Sequence, residues 1–273
     1  MSAARRYPGA ALAPRSAGAG CGRSTQPRRA AADTVGMIDW IFRPQCAACG
    51  APATTLCAAC QASLVELGPA CPRCAEPFGE HVVTDDETRS APGGGACRRC
   101  AIAPLPLEGV VAPWRFGGQL ASAIRRLKFA NRAHVARDVA PLWAPALAAA
   151  VAAEDALVVP VPLHWRRRWR RGYDHAWLLA FHACAAMRIA PPVSALRRVR
   201  HAPPQSMLPA AERPANVAGA FAARAAVAGR AVVLVDDVMT TGATLAAAAR
   251  ALRAAGAAPV TAIVLARATF ARG

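Results

Sequence analysis

The chain contains a single lysine, Lys128, and all the rest of its 33 basic residues are arginine. In a chain rich in alanine, arginine and proline this scarcity reads as codon bias from a GC-rich coding sequence. It also has a chemical consequence. No Gly-Lys-Ser/Thr follows any turn, which excludes a Walker phosphate loop. Long apolar runs are missing too. The longest, Val139 to Ala153, has 15 residues, is broken by Pro141 and Pro145, and is bounded by Asp138 and Glu154. A membrane span needs roughly 20, so the run reads as a packed helix and no membrane span is expected. No stretch reads as a secretory signal, and none carries the pattern of a helix-turn-helix.

Acids are also scarce: 16 against the 33 bases, for a net charge of +17. Such a surface attracts nucleic acid, nucleotides and other polyanions through its long-range field. Residues 1–36 carry six arginines and one acid, Asp33, without periodicity. They are expected to be disordered or a mis-assigned extension, with MIDWIFRPQCAACG from Met37 reading as a true start. An Arg-rich, acid-poor start also imitates a transit peptide. Without it the charge is still +12, from 27 basic and 15 acidic residues.

Ten cysteines are present, and eight fall into four Cys-x-x-Cys pairs: Cys46/Cys49, Cys57/Cys60, Cys71/Cys74 and Cys97/Cys100. Each pair can form a turn that offers two thiolates to one tetrahedral ion, and two turns complete a site. Eight ligands therefore predict two zinc ions. Sequential pairing is the simplest arrangement, and an interleaved one stays open. A lone Cys-x-x-Cys can be a redox dithiol, but four in succession without a strand–helix frame favour zinc in a reducing compartment. The ions are expected to be structural, because so loop-rich a segment has little core of its own. The stretch between Cys74 and Cys97 reads as a solvated loop, with His81 at the surface. Cys184 reads as a small packed apolar residue.

The most informative stretch is 231–252, AVVLVDDVMTTGATLAAAARAL. Five apolar residues, Ala231 to Val235, read as a strand buried on both faces. Asp236 and Asp237 follow, then Thr240, Thr241, Gly242, Ala243 and Thr244, then an Ala-rich helix. A helix start with a glycine and threonines is a place for phosphate. The acids would repel phosphate, but suit what accompanies it: sugar hydroxyls or Mg²⁺. This pattern resembles the phosphoribosyl pyrophosphate (PRPP) binding motif of the type I phosphoribosyltransferases. The resemblance implies that the acid pair faces the ribose hydroxyls and that the Thr/Gly turn wraps the 5′-phosphate.

The remaining segments supply a frame. Pro104 and Pro106 mark a linker, GVVAPWRF (109–116) reads as a strand, and Gln119 to Ala130 as a helix with Leu120, Ile124 and Leu127 on one face. Lys128 and Arg132 at its end suit equally a solvated cation favoured by the helix dipole and a ligand contact. ALVVPVP (156–162) reads as a second buried strand. After it come His164, five arginines (166, 167, 168, 170 and 171), and interleaved Trp165 and Trp169. Open α/β sheets bind ligands at such strand ends, and a pyrophosphate needs dense positive charge. Gly172 then starts a helix, Tyr173 to Met187, expected to bury Trp177, Leu178 and Phe181. Residues 196–221 read as a long basic loop able to act as a flap. A strand at 258–270, after a helix stopped by Gly256, completes a parallel α/β sheet.

Taken in order, the cysteine pairs, LKF, VVPVPL, RGY, RVRHAPPQ, ERPANVAGAF and VLVDDVMTTGAT are similar to the ComF family of bacterial competence proteins. The resemblance implies an α/β fold with a type I phosphoribosyltransferase-like parallel sheet over 107–273, preceded by a double zinc ribbon over 37–106. It implies a cytoplasmic protein of natural transformation and DNA uptake, linked to the handling of incoming single-stranded DNA. PRPP with Mg²⁺ would be its ligand. Carried over by position, it implies Asp236 and Asp237 as catalytic, with Thr240, Thr241, Gly242, Ala243, Thr244, Arg171 and Arg200 binding PRPP. Gly172 and Tyr173 complete the Arg-Gly-aromatic segment, and Gln205, Arg213 and Asn216 belong to the flap. Where the family reads Asn-Gln, this chain has Asp174 and His175, and Ala202 replaces the flap threonine. Two functions fit: transfer of ribose 5-phosphate to an acceptor, or a non-catalytic PRPP or nucleotide sensor that adapts single-stranded DNA to a motor.

Overall fold

The two halves of the cysteine-rich segment fold alike. In the first, an antiparallel bridge between Gln45 and Pro52 closes the turn carrying Cys46 and Cys49, and helix α1 (Ala58–Ala62) opens at Cys57. In the second, Ala70 and Pro77 bridge around Cys71 and Cys74, and helix α2 (Arg98–Ile102) opens at Cys97. The computed structural model describes residues 45–52, 56–78, 95–200 and 219–269, all within one compact unit, Pro44–Gly273.

The strand expected over 109–116 is divided in two, β1 (Val110–Val111) and β2 (Trp114–Arg115). Pro113 lies at the break, where it has no N–H to give a ladder. Helix α3 (Gly118–Phe129) buries Leu120, Ala123, Ile124 and Leu127. The apolar run at 139–153 is not one helix. It contributes the end of α4 (Val135–Val139), a 3-10 turn at Ala140–Leu142 and most of α5 (Ala144–Glu154), because Pro141 and Pro145 cannot continue a helix from the preceding turn. The two arms meet at 66°, and no single helix among the described residues is long and apolar enough to cross a membrane. Val135, Val139, Trp143 and Leu147 from this bent pair are buried against the rest of the fold.

β3 (Leu157–Pro160) leads into α6 (Trp165–Arg171), so the arginine run is itself helical. Gly172 ends that helix at φ +80° instead of opening the next. The following helix, α7 (His175–Met187), is started by Asp174, whose carboxylate accepts from the amides of Ala176 and Trp177, as an N-cap residue does. Its buried stripe is Ala176, Leu179, Ala180, Ala183 and Cys184. Phe181, expected inside, is 45% exposed. Small residues around Leu179 let α7 sit close to its neighbours, and Phe181 falls to the flank.

Residues 196–221 begin and end in structure: β4 (Leu196–Arg198) pairs antiparallel with β5 (Phe221–Ala223). Then come β6 (Val232–Met239), α8 (Ala243–Ala254) and β7 (Val260–Arg267). The main sheet runs β1-β7-β6-β3, with β2 also on β7, and every pairing is parallel. Alternation along the strands divides the core in two. Val232, Leu234, Val260, Ala262 and Val264 face α8, with Leu245, Ala248, Ala249 and Leu252. Val233, Val235, Ile263 and Leu265 face the other side, with residues of α3, α4, α5 and α7. Both faces are covered, as an all-parallel sheet requires. The cysteine-rich halves join these layers: Cys71, Cys74 and Cys100 lie in the first and Cys46 and Cys60 in the second.

Candidate phosphoribosyl site and metal centres

The eight paired cysteines come together as Cys46, Cys49, Cys57 and Cys60, and as Cys71, Cys74, Cys97 and Cys100, with the sulfurs of each set within 4.8 Å of one another. Pairing is therefore sequential. A tetrahedral Zn–S bond of about 2.3 Å separates sulfurs by about 3.8 Å. The Cys49 and Cys57 sulfurs are 3.8 Å apart, and those of Cys74 and Cys97 are 3.6 Å apart. The amides of Cys57 and Cys97 each lie 3.3 Å from the first sulfur of their cluster, Cys46 and Cys71, an arrangement that stabilises thiolate. Donor set and spacing both fit two structural zinc ions. Cys184 stands apart, buried in α7, where desolvation pushes its thiol up to about 11.

β6 runs four residues beyond the apolar run Ala231–Val235, because its pairing with β7 continues to Met239. The acid pair thus lies within the strand, and neighbouring strand residues face opposite sides. Asp236 opens onto a small cleft that it lines with Val238, Thr240, Gly242, Ala243 and Thr244. Gly242 caps α8 at φ +80°, and the Ala243 amide donates to Thr241 Oγ1 at 3.3 Å. The cleft therefore sits where a helix start and a strand end converge.

Asp237 faces the other way and is 2% exposed. Its Oδ2 is 2.5 Å from Lys128 Nζ on α3 and 3.5 Å from His175 Nε2 on α7. Burial alone would raise its pKa, but Lys128 and His175 outweigh burial and hold the carboxyl well below the usual carboxylate range. Asp236 shifts oppositely: burial first, then the charge of Asp237, push it up to about 7. The doublet is thus one fixed anion and one group poised near neutrality.

His175 also touches Arg171. Arg171 Nη1 lies 2.9 Å from His175 Nδ1, and a guanidinium only donates. Nδ1 therefore accepts, which leaves the ring proton on Nε2 toward Asp237. Arg171 further stacks over Phe129, 5.4 Å from the ring centre, and the Tyr173 hydroxyl donates to the Leu127 carbonyl at 2.5 Å. Asp174 caps α7 and accepts from the Leu163 amide at 2.8 Å. It is committed to backbone, so it does not confront a bound anion.

Of the residues expected at the site, Asp236, Thr240, Gly242, Ala243 and Thr244 line one cleft. Asp237 and Arg171 meet through His175, and Thr241 steadies the turn. Arg200 is exposed just past β4. Gln205, Arg213 and Asn216 lie outside the described residues, as do His81 and residues 1–36. Other participants were not legible as such. Lys128, one of two readings at a helix end, proves to be the partner of Asp237. Arg132, beside it, donates to Gln45 Oε1 at 2.9 Å. Arg267 ends an apolar strand at 2% exposure and donates to the carbonyls of Met239, at 3.0 Å, and Thr240; a lone arginine in such a strand is the available signal. His175 stood out as a departure from the family pattern, without a role.

Two parts of the chain match known families. Residues 37–101 match the double zinc ribbon domain, and residues 186–271 match the phosphoribosyl transferase domain. The latter starts inside α7, yet β1, β2 and β3 ahead of it complete the same sheet. The chain is 31% identical over 231 residues to DNA utilization protein YhgH of Salmonella typhi, covering 83% of this chain and 95% of that one. It is 33% identical over 168 residues to DNA utilization protein YhgH of Escherichia coli K12, covering 60% and 74%. With Competence protein F of Haemophilus influenzae it shares 35% over 144 residues, covering 50% and 63%. Two clusters of four cysteines, a phosphoribosyltransferase-type parallel sheet and near-full-length similarity together make this chain a member of the ComF/YhgH family.

Proposed function

We propose that this protein binds PRPP with Mg²⁺ at the carboxyl end of β6 and works in the cytoplasmic handling of DNA during its uptake. The observation that carries the reading is the single cleft shared by Asp236, Thr240, Gly242, Ala243 and Thr244 at the start of α8. Backbone amides and threonine hydroxyls there suit a 5′-phosphate. Asp236, once ionised, accepts from a ribose hydroxyl. Arg171, held between Phe129 and His175, offers charge for the pyrophosphate. Carboxylate oxygens of Asp236 and Asp237 lie within 4.8 Å of one another, and carboxylate oxygen is the donor that Mg²⁺ takes. Mg²⁺ bound with PRPP would neutralise pyrophosphate charge.

In the catalytic form of this reading, the bond from ribose C1 to the pyrophosphate oxygen breaks, C1 bonds to the acceptor, and the acceptor loses a proton. Positioning and charge stabilisation lower the barrier. Supplying PRPP, Mg²⁺ and a pool of nucleobases and measuring pyrophosphate tests it. Release that disappears in Asp236→Asn/Asp237→Asn supports transfer, and binding without release supports a sensor.

A second reading, a non-catalytic adaptor for single-stranded DNA, draws on α6. Trp165 and Trp169, one helical turn apart, are 63% and 84% exposed among the arginines. Stacking faces interleaved with cations are what sequence-tolerant single-strand binding uses. A translocation motor as the further partner belongs to this reading. Single-strand affinity measured against salt tests it: a steep fall is expected as arginines release counterions from the strand, and a flat dependence would contradict contact with the nucleic-acid backbone.

A further inference from the structure

The cysteine-rich segment touches the proposed phosphate turn, and it does so from the carbonyl side. Arg99 lies between the last two cysteines of the second cluster and donates to the Thr241 carbonyl. Glu76, two residues past Cys74, pairs with the buried guanidinium of Arg267. Arg267 in turn donates to the carbonyls of Met239, Thr240 and Ala268. Three successive carbonyls, at residues 239, 240 and 241, thus accept from two guanidinium groups. In a planar trans peptide the C=O and the following N–H point opposite ways. The N–H groups of Thr240, Thr241 and Gly242 are therefore turned away from the arginines. Leu105, in the linker after the last cysteine, closes the same turn: a Cβ on Gly242 would lie 3.1 Å from its Cδ1.

We propose that Glu76 and Arg99 are positioning residues of the phosphoribosyl site, through which the second cysteine cluster braces the carbonyl side of the 239–241 turn so that its amide side meets the ligand phosphate. The inference rests on the phosphoribosyl reading above for its ligand, but the brace itself does not. Two guanidinium groups behind the turn also add positive potential where an anion would bind. The zinc that the cluster fits would then hold more than its own loops: it would keep Glu76 and Arg99 in register with β6 and β7.

Arg267 is too buried for a clean test, so the variants are Arg99→Ala and Glu76→Gln, with Arg99→Lys as the conservative rescue and exposed Arg98→Ala as the control. Amide hydrogen exchange over 238–245 in the ligand-free protein is expected to quicken about fivefold in the first two variants. Affinity for PRPP with Mg²⁺ is expected to fall about tenfold, the scale of one charge-assisted hydrogen bond. Arg99→Lys should recover part of both effects, and Arg98→Ala should show neither. Zinc content should stay at the wild-type value throughout, separating the brace from loss of the metal. Wild-type exchange rates in both Arg99→Ala and Glu76→Gln would overturn the proposal. If the wild-type protein does not bind PRPP, the ligand reading fails and the exchange result alone decides the brace.

Discussion

Lys128 Nζ stands 2.5 Å from Asp237 Oδ2, so the single lysine of the chain is matched to a carboxylate that is 2% exposed. The pair ties α3 to the central strand, and His175 ties α7 to the same oxygen. The second acid of the doublet is therefore neutralised from behind, while the first opens onto the cleft at the start of α8.

Removing Lys128 should be costly. Lys128→Met leaves Asp237 buried with only His175 beside it, and breaking a buried pair costs about 3 kcal/mol, read as a lower melting temperature at pH 7. The pH dependence has a definite sign. Asp237 has a depressed folded pKa, so its contribution is present above the unfolded carboxylate value of about 3.9 and is lost as pH falls below it. The gap between Lys128→Met and wild type should narrow on acidification through that range. A gap independent of pH would mean that the pair does not act electrostatically.

Asp236 predicts the opposite slope in another window. With its folded pKa raised to about 7, the folded state keeps a proton that the unfolded chain releases near pH ~3.9. Stability due to this group therefore falls as pH rises from about 4 to 7, and Asp236→Asn should remove that slope. Affinity for PRPP should rise between about pH 6 and 8 as the carboxyl ionises, then level. Equal affinity at both pH values would count against Asp236 as the sugar acceptor.

His175 can be tested by shape. Glutamine can accept from Arg171 and donate to Asp237, so His175→Gln should hold ligand affinity within about threefold. His175→Leu provides neither bond and leaves a half-buried guanidinium without its acceptor, a loss of about 1–3 kcal/mol in stability. Thermal melts of the two variants separate a bridging role from simple packing.

Much of this was legible in the sequence, because its signals were local. Paired cysteines with short spacing announce metal sites by themselves, while the choice of sequential over interleaved sets came from the fold. The β-branched run of β6 and the Gly/Thr turn needed no tertiary knowledge. What escaped notice depended on contacts distant in sequence. Lys128 and Asp237 are joined only because α3 packs on the sheet. Arg99 and Glu76 reach the turn only because the second zinc half joins the α8 layer. The stripe on α7 differs from expectation for a similar reason: close packing buries alanines around Leu179 and leaves Phe181 at the rim.

Elemental analysis should find two zinc ions per chain, bound by the eight paired cysteines and independent of Cys184. Cys184→Ser should leave that count unchanged, while Cys74→Ser should lower it by one. A count unaffected by Cys74→Ser would remove the second centre.

The most direct measurement is a calorimetric titration of zinc-replete protein with PRPP and Mg²⁺ at about pH 8, above the raised pKa of Asp236. The account predicts saturable heat with one site per chain, absent in Asp236→Asn/Asp237→Asn protein that keeps its zinc and its fold. No heat and no thermal shift from the wild-type protein would contradict it.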